Sequence, residues 1–173
     1  MKKIIIGVCA VMLGIAAQAA TVNWSANAIQ SSPDNAVAAG WLVQIYSSDV
    51  VYSYDAANAG TITTWASGST VAAGTTFRAS GSSTQDNGTT TAYYAVIYDA
   101  TTIDGAKNYF VTSVKSGSIS ANGSDKSLSF GNMTSTSTTS AFYGNSWQAV
   151  PEPTSGLLLM LGVAGLALKR KRA

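Results

Sequence analysis

The chain has no histidine at all, and its one cysteine and one glutamate both lie outside the region between Thr21 and Ala149. Without imidazole, the commonest general base and the commonest nitrogen ligand for metals are missing. Without cysteine in that region there is no thiol nucleophile and no disulfide, whatever the redox compartment. A Ser-His-Asp triad cannot be assembled within the chain. Paired-carboxylate glycoside hydrolysis would have to draw on aspartates alone. Basic charge is equally scarce. The formal charge of +2 and the pI of about 8.7 come from the ends, where Lys2, Lys3, Lys169, Arg170, Lys171 and Arg172 sit. Between the ends, Arg78, Lys107, Lys115 and Lys126 face seven aspartates, a net charge of −3. So mildly acidic a region offers no patch for a phosphate backbone, and nucleic acid is not expected as a partner.

What is present begins with "MKKIIIGVCAVMLGIAAQAA". Lys2 and Lys3, an apolar run from Ile4 to Ala16, and the small-x-small triplet Ala17-Gln18-Ala19 form a secretory signal peptide read by signal peptidase, with cleavage expected after Ala19. Cys9 lies too early in the apolar run, and follows too large a residue in Val8, to suit lipidation. The expected division is residues 1–19 as signal peptide, 20–149 as one exported domain and 150–173 as a C-terminal tail.

The exported region reads as β-structure. Residues 21–149 hold 22 Ser and 18 Thr, which favour strands, turns and solvated loops over helix interiors. "GWLVQIYSSD" alternates, placing Trp41, Val43 and Ile45 on one face and Leu42, Gln44 and Tyr46 on the other. "VVYSYD" follows as a further strand after a turn at Ser47–Asp49. In "TTAYYAVIYDA", Tyr93 to Tyr98 is apolar or aromatic on both faces, the pattern of a central, doubly covered strand. "NYFVTSVKSG" sets Phe110 and Val114 on one side, with Tyr109 and Val111 opposite. Weaker strands are "TVNWSAN", "TITTWAS", "GTTFRAS", "KSLSFGN" and "SAFYGNSWQAV". "SGSSTQDNGTTT" reads as an exposed hairpin tip and "TSTSTTS" as a loop or edge strand. Asp86–Gly88, Asp104–Gly105 and Asn122–Gly123 supply turn residues. Short strands punctuated this regularly predict an all-β, antiparallel sandwich of jelly-roll or immunoglobulin-like type, flanked by a signal helix and a short C-terminal transmembrane helix. Trp41–Tyr46 and Tyr93–Tyr98 resemble each other weakly, as buried strands do.

Few residues are candidates for chemistry. Asp99 and Asp104 flank "YDATTIDGAK" and could face one another, although turn capping explains them more simply. Calcium would suit the oxygens of "DNG", "DGAKN" and "NGSDKS", but none has the spacing of a dedicated calcium loop. No catalytic residue, cofactor or metal is therefore expected. Trp24, Trp41, Trp65 and Trp147 with eight tyrosines could build a sugar-stacking platform, Trp65 and Trp147 being the better exposed candidates.

The chain ends "AVPEPTSGLLLMLGVAGLALKRKRA". Ser155–Leu168 is 14 uncharged residues. As a helix it would span about 21 Å against a hydrocarbon core of about 30 Å, so snorkelling Lys169 and Arg170 and local thinning would have to close the gap. The cluster Lys169, Arg170, Lys171, Arg172 would stay cytoplasmic as stop-transfer charge. Pro151, Glu152 and Pro153, the apolar segment and the basic cluster, in that order, resemble the PEP-CTERM sorting domain, over the tail only. That resemblance implies recognition by an exosortase of Gram-negative bacteria that make exopolysaccharide. It also implies transient anchoring in the inner membrane, removal of the tail, and release or attachment at the surface. The expected function is a non-enzymatic surface or extracellular-matrix protein, with its Ser/Thr-rich loops open to O-glycosylation. The alternative is a carbohydrate-binding module recognising exopolysaccharide through exposed aromatics in one coplanar row.

Overall fold

A computed structural model describes residues 19–86, 90–118 and 126–151. In chain order the elements are β1 (Ala19–Ile29), β2 (Leu42–Ser47), α1 (Tyr54–Asn58), β3 (Ala66–Ala73), β4 (Thr76–Asp86), β5 (Thr90–Tyr98), β6 (Asn108–Val111), β7 (Lys115–Ser118), β8 (Lys126–Asn132) and β9 (Trp147–Ala149). The strands join in one curled sheet of order β8-β1-β4-β3-β2-β5-β6-β9, with β7 also on β5. The all-β class expected from composition is what the structure has. The jelly-roll or immunoglobulin-like sandwich resolves into this single continuous sheet. It is antiparallel at every described pairing except β1 with β8, which is parallel. The expected signal and transmembrane helices lie outside the described residues.

β5 is the central strand. Every residue from Tyr93 to Tyr98 is buried. β2 pairs along one edge (Ile45 opposite Ala95), and β6 and β7 follow one another along the other edge (Val96 opposite Val111, Tyr93 opposite Lys115). Alternation then divides the interior in two. Tyr93, Ala95 and Ile97 join Val43, Ile45, Trp24, Leu128, Phe130 and Phe110 in the larger core, inside the curl. Tyr94, Val96 and Tyr98 join Tyr46, Tyr54 and Ala106 in a smaller core on the other face. The curl turns on β3, whose Ala66–Ser69 half pairs with β2 and whose Thr70–Ala73 half pairs with β4. The β3–β4 connection is the two-residue turn Gly74-Thr75, with Gly74 at φ +65°, a conformation glycine adopts without a Cβ penalty. Ala141 bridges the two ends of the curl: its N–H donates to the Phe130 carbonyl of β8 at 2.9 Å, and its carbonyl accepts from Ser113 N–H at 2.7 Å.

Several sequence expectations need correction. "VVYSYD" is no strand: Val51–Ser53 is irregular and Tyr54–Asn58 forms α1, because this stretch lays Tyr52 and Tyr54 over the smaller core. "NYFVTSVKSG" breaks after Val111. Thr112 meets Ala95 twice, by its N–H to the Ala95 carbonyl and by its Oγ1 accepting from Ala95 N–H, both at 2.9 Å. The side chain thus replaces a ladder acceptor, the strand kinks, and Val114 turns out to solvent instead of joining Phe110. "SGSSTQD" is the second half of β4, not a hairpin tip: Ser80 to Asp86 pairs with Ala19 to Ser25. "TITTWAS" is irregular until Ala66, "SAFYGNSWQAV" is strand only at Trp147–Ala149, and "TSTSTTS" is loop. The turn expected at Asp104–Gly105 is present; Asn122–Gly123 lies outside the described residues.

Candidate functional site

Asp99 directly follows β5 and is 3% exposed. Its Oδ1 accepts from the N–H groups of Lys107 (2.8 Å) and Asn108 (2.9 Å), which locks the start of β6 against the end of β5. Its Oδ2 accepts from Ser32 Oγ (2.7 Å), Asn35 Nδ2 (3.0 Å) and Asn108 Nδ2 (2.9 Å). Asn108 Nδ2 also reaches Asp34 Oδ2 at 2.8 Å. Burial on its own pushes this carboxyl up. The side chains of Ser32 and Asn108 and the two backbone N–H groups outweigh it, and the pKa ends below the ordinary carboxylate value. All five donors are neutral, and both oxygens are occupied. Such a carboxylate is held in its charged form as a structural acceptor, not poised to take a proton from a substrate.

Asp104 does not meet it. It stands exposed in its own turn, beside the Tyr54 phenol, which donates to the Ile103 carbonyl at 2.7 Å. No facing aspartate pair of glycosidase type is assembled from these two residues. Among the described residues no three His, Cys, Asp or Glu side chains converge as metal ligands. Of the stretches that would suit calcium, most of "NGSDKS" and most of "DNG" lie outside the described residues.

The second concentration of polar atoms is a tyrosine layer in the smaller core. Tyr46 and Tyr94 stack at 5.6 Å, Tyr54 and Tyr109 at 5.8 Å, and Tyr52 meets Tyr109 at 5.3 Å. Gln44 Oε1 accepts from the hydroxyls of Tyr46 (2.5 Å) and Tyr98 (3.2 Å), Tyr52 donates to the Tyr98 hydroxyl at 3.1 Å, and Tyr94 to the Val50 carbonyl at 2.7 Å. Burial pushes the Tyr94 phenol up to about 12. It pushes Tyr52 and Tyr98 up further, Tyr98 with help from the Tyr52 hydroxyl, so these phenols stay protonated at neutral pH. The layer seals the segment 50–62 onto the sheet and offers no nucleophile.

The tryptophans expected on the surface are turned inward. Trp65 lies on Tyr93 at 4.2 Å and donates from Nε1 to the Thr84 carbonyl at 3.2 Å. Trp147 makes edge contacts with Trp41 (5.8 Å) and Phe110 (5.6 Å). Both are half-buried against the larger core. Trp24 and Trp41 are buried, and Tyr143 is the one large aromatic exposed among the described residues. The surface depressions are shallow; one of about 410 Å³ is lined by Ile29, Gln30, Val37 and Phe77 among others, with no titratable side chain.

The remaining expected site residues bracket the sheet. Ala19, the expected signal cleavage residue, is the first of β1 and pairs with Asp86. Pro151 is exposed and follows β9 by one residue. Ala17, Glu152, Pro153, Lys169, Arg170, Lys171 and Arg172 lie outside the described residues. Ala149 pairs with Asn108, and Val150 N–H donates to the Lys107 carbonyl at 2.8 Å, the last sheet contact before the tail. The Asp99 cluster therefore holds the two residues, Lys107 and Asn108, on which the chain's exit is docked. Sequence reasoning missed its partners Ser32, Asn35 and Asn108; Ser32 and Asn35 stand 67 and 64 residues from Asp99 and carry no local pattern, and Asn108, 9 residues on, is brought back to it only by the β5–β6 pairing.

Comparison with known families places a PEP-CTERM protein-sorting motif at residues 149–172. No curated protein and no solved structure matches the chain. The motif makes the tail an element recognised by an exosortase, and implies export with transient membrane anchoring before processing.

Proposed function

We propose that the chain is a non-enzymatic surface or extracellular-matrix protein of an exopolysaccharide-producing cell, delivered there by exosortase processing of its tail. The sorting motif carries this reading. Two features of the exported region support the non-enzymatic part. The most deeply buried carboxylate among the described residues is saturated by neutral donors, and the described depressions hold no acid or base. The inward turn of Trp65 and Trp147 favours the matrix reading over a carbohydrate-binding module, which needs exposed aromatics in a row. The exposed Ser/Thr loop at residues 134–139 suits a hydrated, glycan-decorated surface. The test is Pro151→Ala together with Pro153→Ala in the native host. The variant is expected to stay in the inner membrane with its tail, while the wild-type chain reaches the surface fraction. Equal delivery of both to the surface would refute the role of the motif.

A further inference from the structure

We propose that β9 is a strap that must lift before the tail is processed: the segment the exosortase takes up reaches back from the Pro-Glu-Pro motif into Ser146–Val150, released from the edge of β6. The proposal rests on the exosortase reading above.

Three observations carry it. First, the sorting motif begins inside the fold: its match starts at residue 149, the last residue of β9. Ala149 and Val150 are still paired with Asn108 and Lys107, so the motif's first residues have their backbone groups engaged on one side. An enzyme groove that seats an extended chain needs those groups free.

Second, the reach is too short with β9 docked. Only the four residues 151–154 separate Val150 from the apolar segment starting at Ser155. Fully extended they span at most about 14 Å, and the headgroup layer takes up roughly 5–8 Å of that. Less than about 10 Å remains between membrane and domain, thinner than one helix with its side chains at about 10–12 Å. The Asp99-clamped start of β6 and the Asp34 loop lie at this exit and narrow the approach further. Lifting Ser146–Val150 brings the free stretch to nine residues, about 30 Å.

Third, β9 is built to come away alone. It is three residues long, with Gln148 and Ala149 exposed, and the segment to be lifted has two half-buried anchors, Trp147 on the larger core and Val150 on the smaller. The chain just before it is fixed independently: Asn145 Nδ2 donates to Ser113 Oγ at 2.8 Å and to the Ala141 carbonyl at 3.0 Å, and Phe142 is buried. Ser146 is the natural hinge. Opening there leaves the Ala141 bridge closed and uncovers the larger core only where Trp147 meets Trp41 and Phe110, the behaviour of a local low-stability unit.

The test locks the strap. Tyr109 and Gln148 are directly opposed, and the only native cysteine, Cys9, lies in the signal segment, so Tyr109→Cys with Gln148→Cys adds the only thiols of the exported region. Tail loss from the full-length chain in membranes of the native host is followed by intact mass, with the same variant oxidised and reduced. The oxidised form is expected to lose its tail at least tenfold more slowly than the reduced form and than Gln148→Cys alone. Equal rates overturn the strap and leave processing standing. A wild-type chain that keeps its tail refutes the processing reading instead, and the strap with it. Amide exchange of the unaltered protein covers the case in which the double variant does not fold. The Val150 amide is expected to exchange at least tenfold faster than that of Val96, and equal protection of the two overturns the strap.

Discussion

Asp99→Asn would disturb the largest polar commitment in the described fold. The carboxylate accepts five hydrogen bonds from neutral donors while 3% exposed. An amide can keep its oxygen on the Lys107 and Asn108 N–H groups. Its NH2 then points at Asn35 Nδ2, Asn108 Nδ2 and Ser32 Oγ; the Ser32 hydroxyl can rotate to accept, whereas flipping the Asn35 or Asn108 amide would turn its oxygen onto the backbone carbonyl of residue 99 or onto the Asp34 carboxylate. Two donor–donor contacts are left in a buried site. Hydrogen bonds to a charged group contribute about 1.5–3 kcal/mol each and do not simply add, so a loss of about 3–5 kcal/mol is expected. For a domain of this size that corresponds to a fall in Tm of roughly 10–20 °C. Calorimetry or urea unfolding of the exported domain reads it directly. The pH dependence follows from the same contacts. The folded pKa lies below the ordinary aspartate value, so the stabilisation is present above that value and is lost as pH falls through the folded pKa. The wild-type domain should lose stability on acidification there, and Asp99→Asn should show a flatter acid limb. A loss under about 1 kcal/mol with an unchanged acid limb would refute the reasoning.

Gly68→Ala would bring a Cβ within 2.8 Å of the buried Trp24 ring, and overpacking should cost about 1–3 kcal/mol in chemical denaturation. Burial raises the folded pKa values of the Tyr52, Tyr94 and Tyr98 phenols above the ordinary tyrosine value, so their contribution is present below that value and is lost as pH rises through the raised ones. The tyrosinate absorbance of these three phenols should therefore appear together with cooperative unfolding, not ahead of it. Trp65→Ala should lower stability by about 1–3 kcal/mol through lost contact with Tyr93 while leaving retention on an exopolysaccharide column unchanged. Loss of retention with intact stability would revive the carbohydrate-binding alternative.

The parts of this fold legible in the sequence are those in which burial writes its own pattern. β5 is covered on both faces, so Tyr93–Tyr98 is an unbroken apolar and aromatic run, and β2 alternates because its two faces join different cores. β3 and the far half of β4 were not legible, because they are made of the small residues that seat a large one. The Trp24 ring lies over Gly68 and Gly81, where a Cβ would approach within 2.8 Å and 3.0 Å. A strand that must make room for an indole loses the side chains that would announce it, and "SGSSTQD" reads as loop. The opposite error befell "VVYSYD", whose β-propensity is overridden by the need to lay Tyr52 and Tyr54 on the smaller core. Val114 was misplaced because the Thr112–Ala95 contacts that kink β6 are tertiary. Of the site residues, the sorting motif was legible because it is contiguous. The Asp99 cluster was not, because it exists only once the distant Ser32–Asn35 segment has met the β5–β6 connection.

The most direct test of exosortase delivery is the intact mass of the protein recovered from the outer surface or medium of its native host. The expected species starts near Ala20 and ends near Pro151–Pro153, with any further mass in sugar-sized steps. A chain ending at Ala173 and found only in the inner membrane would contradict it.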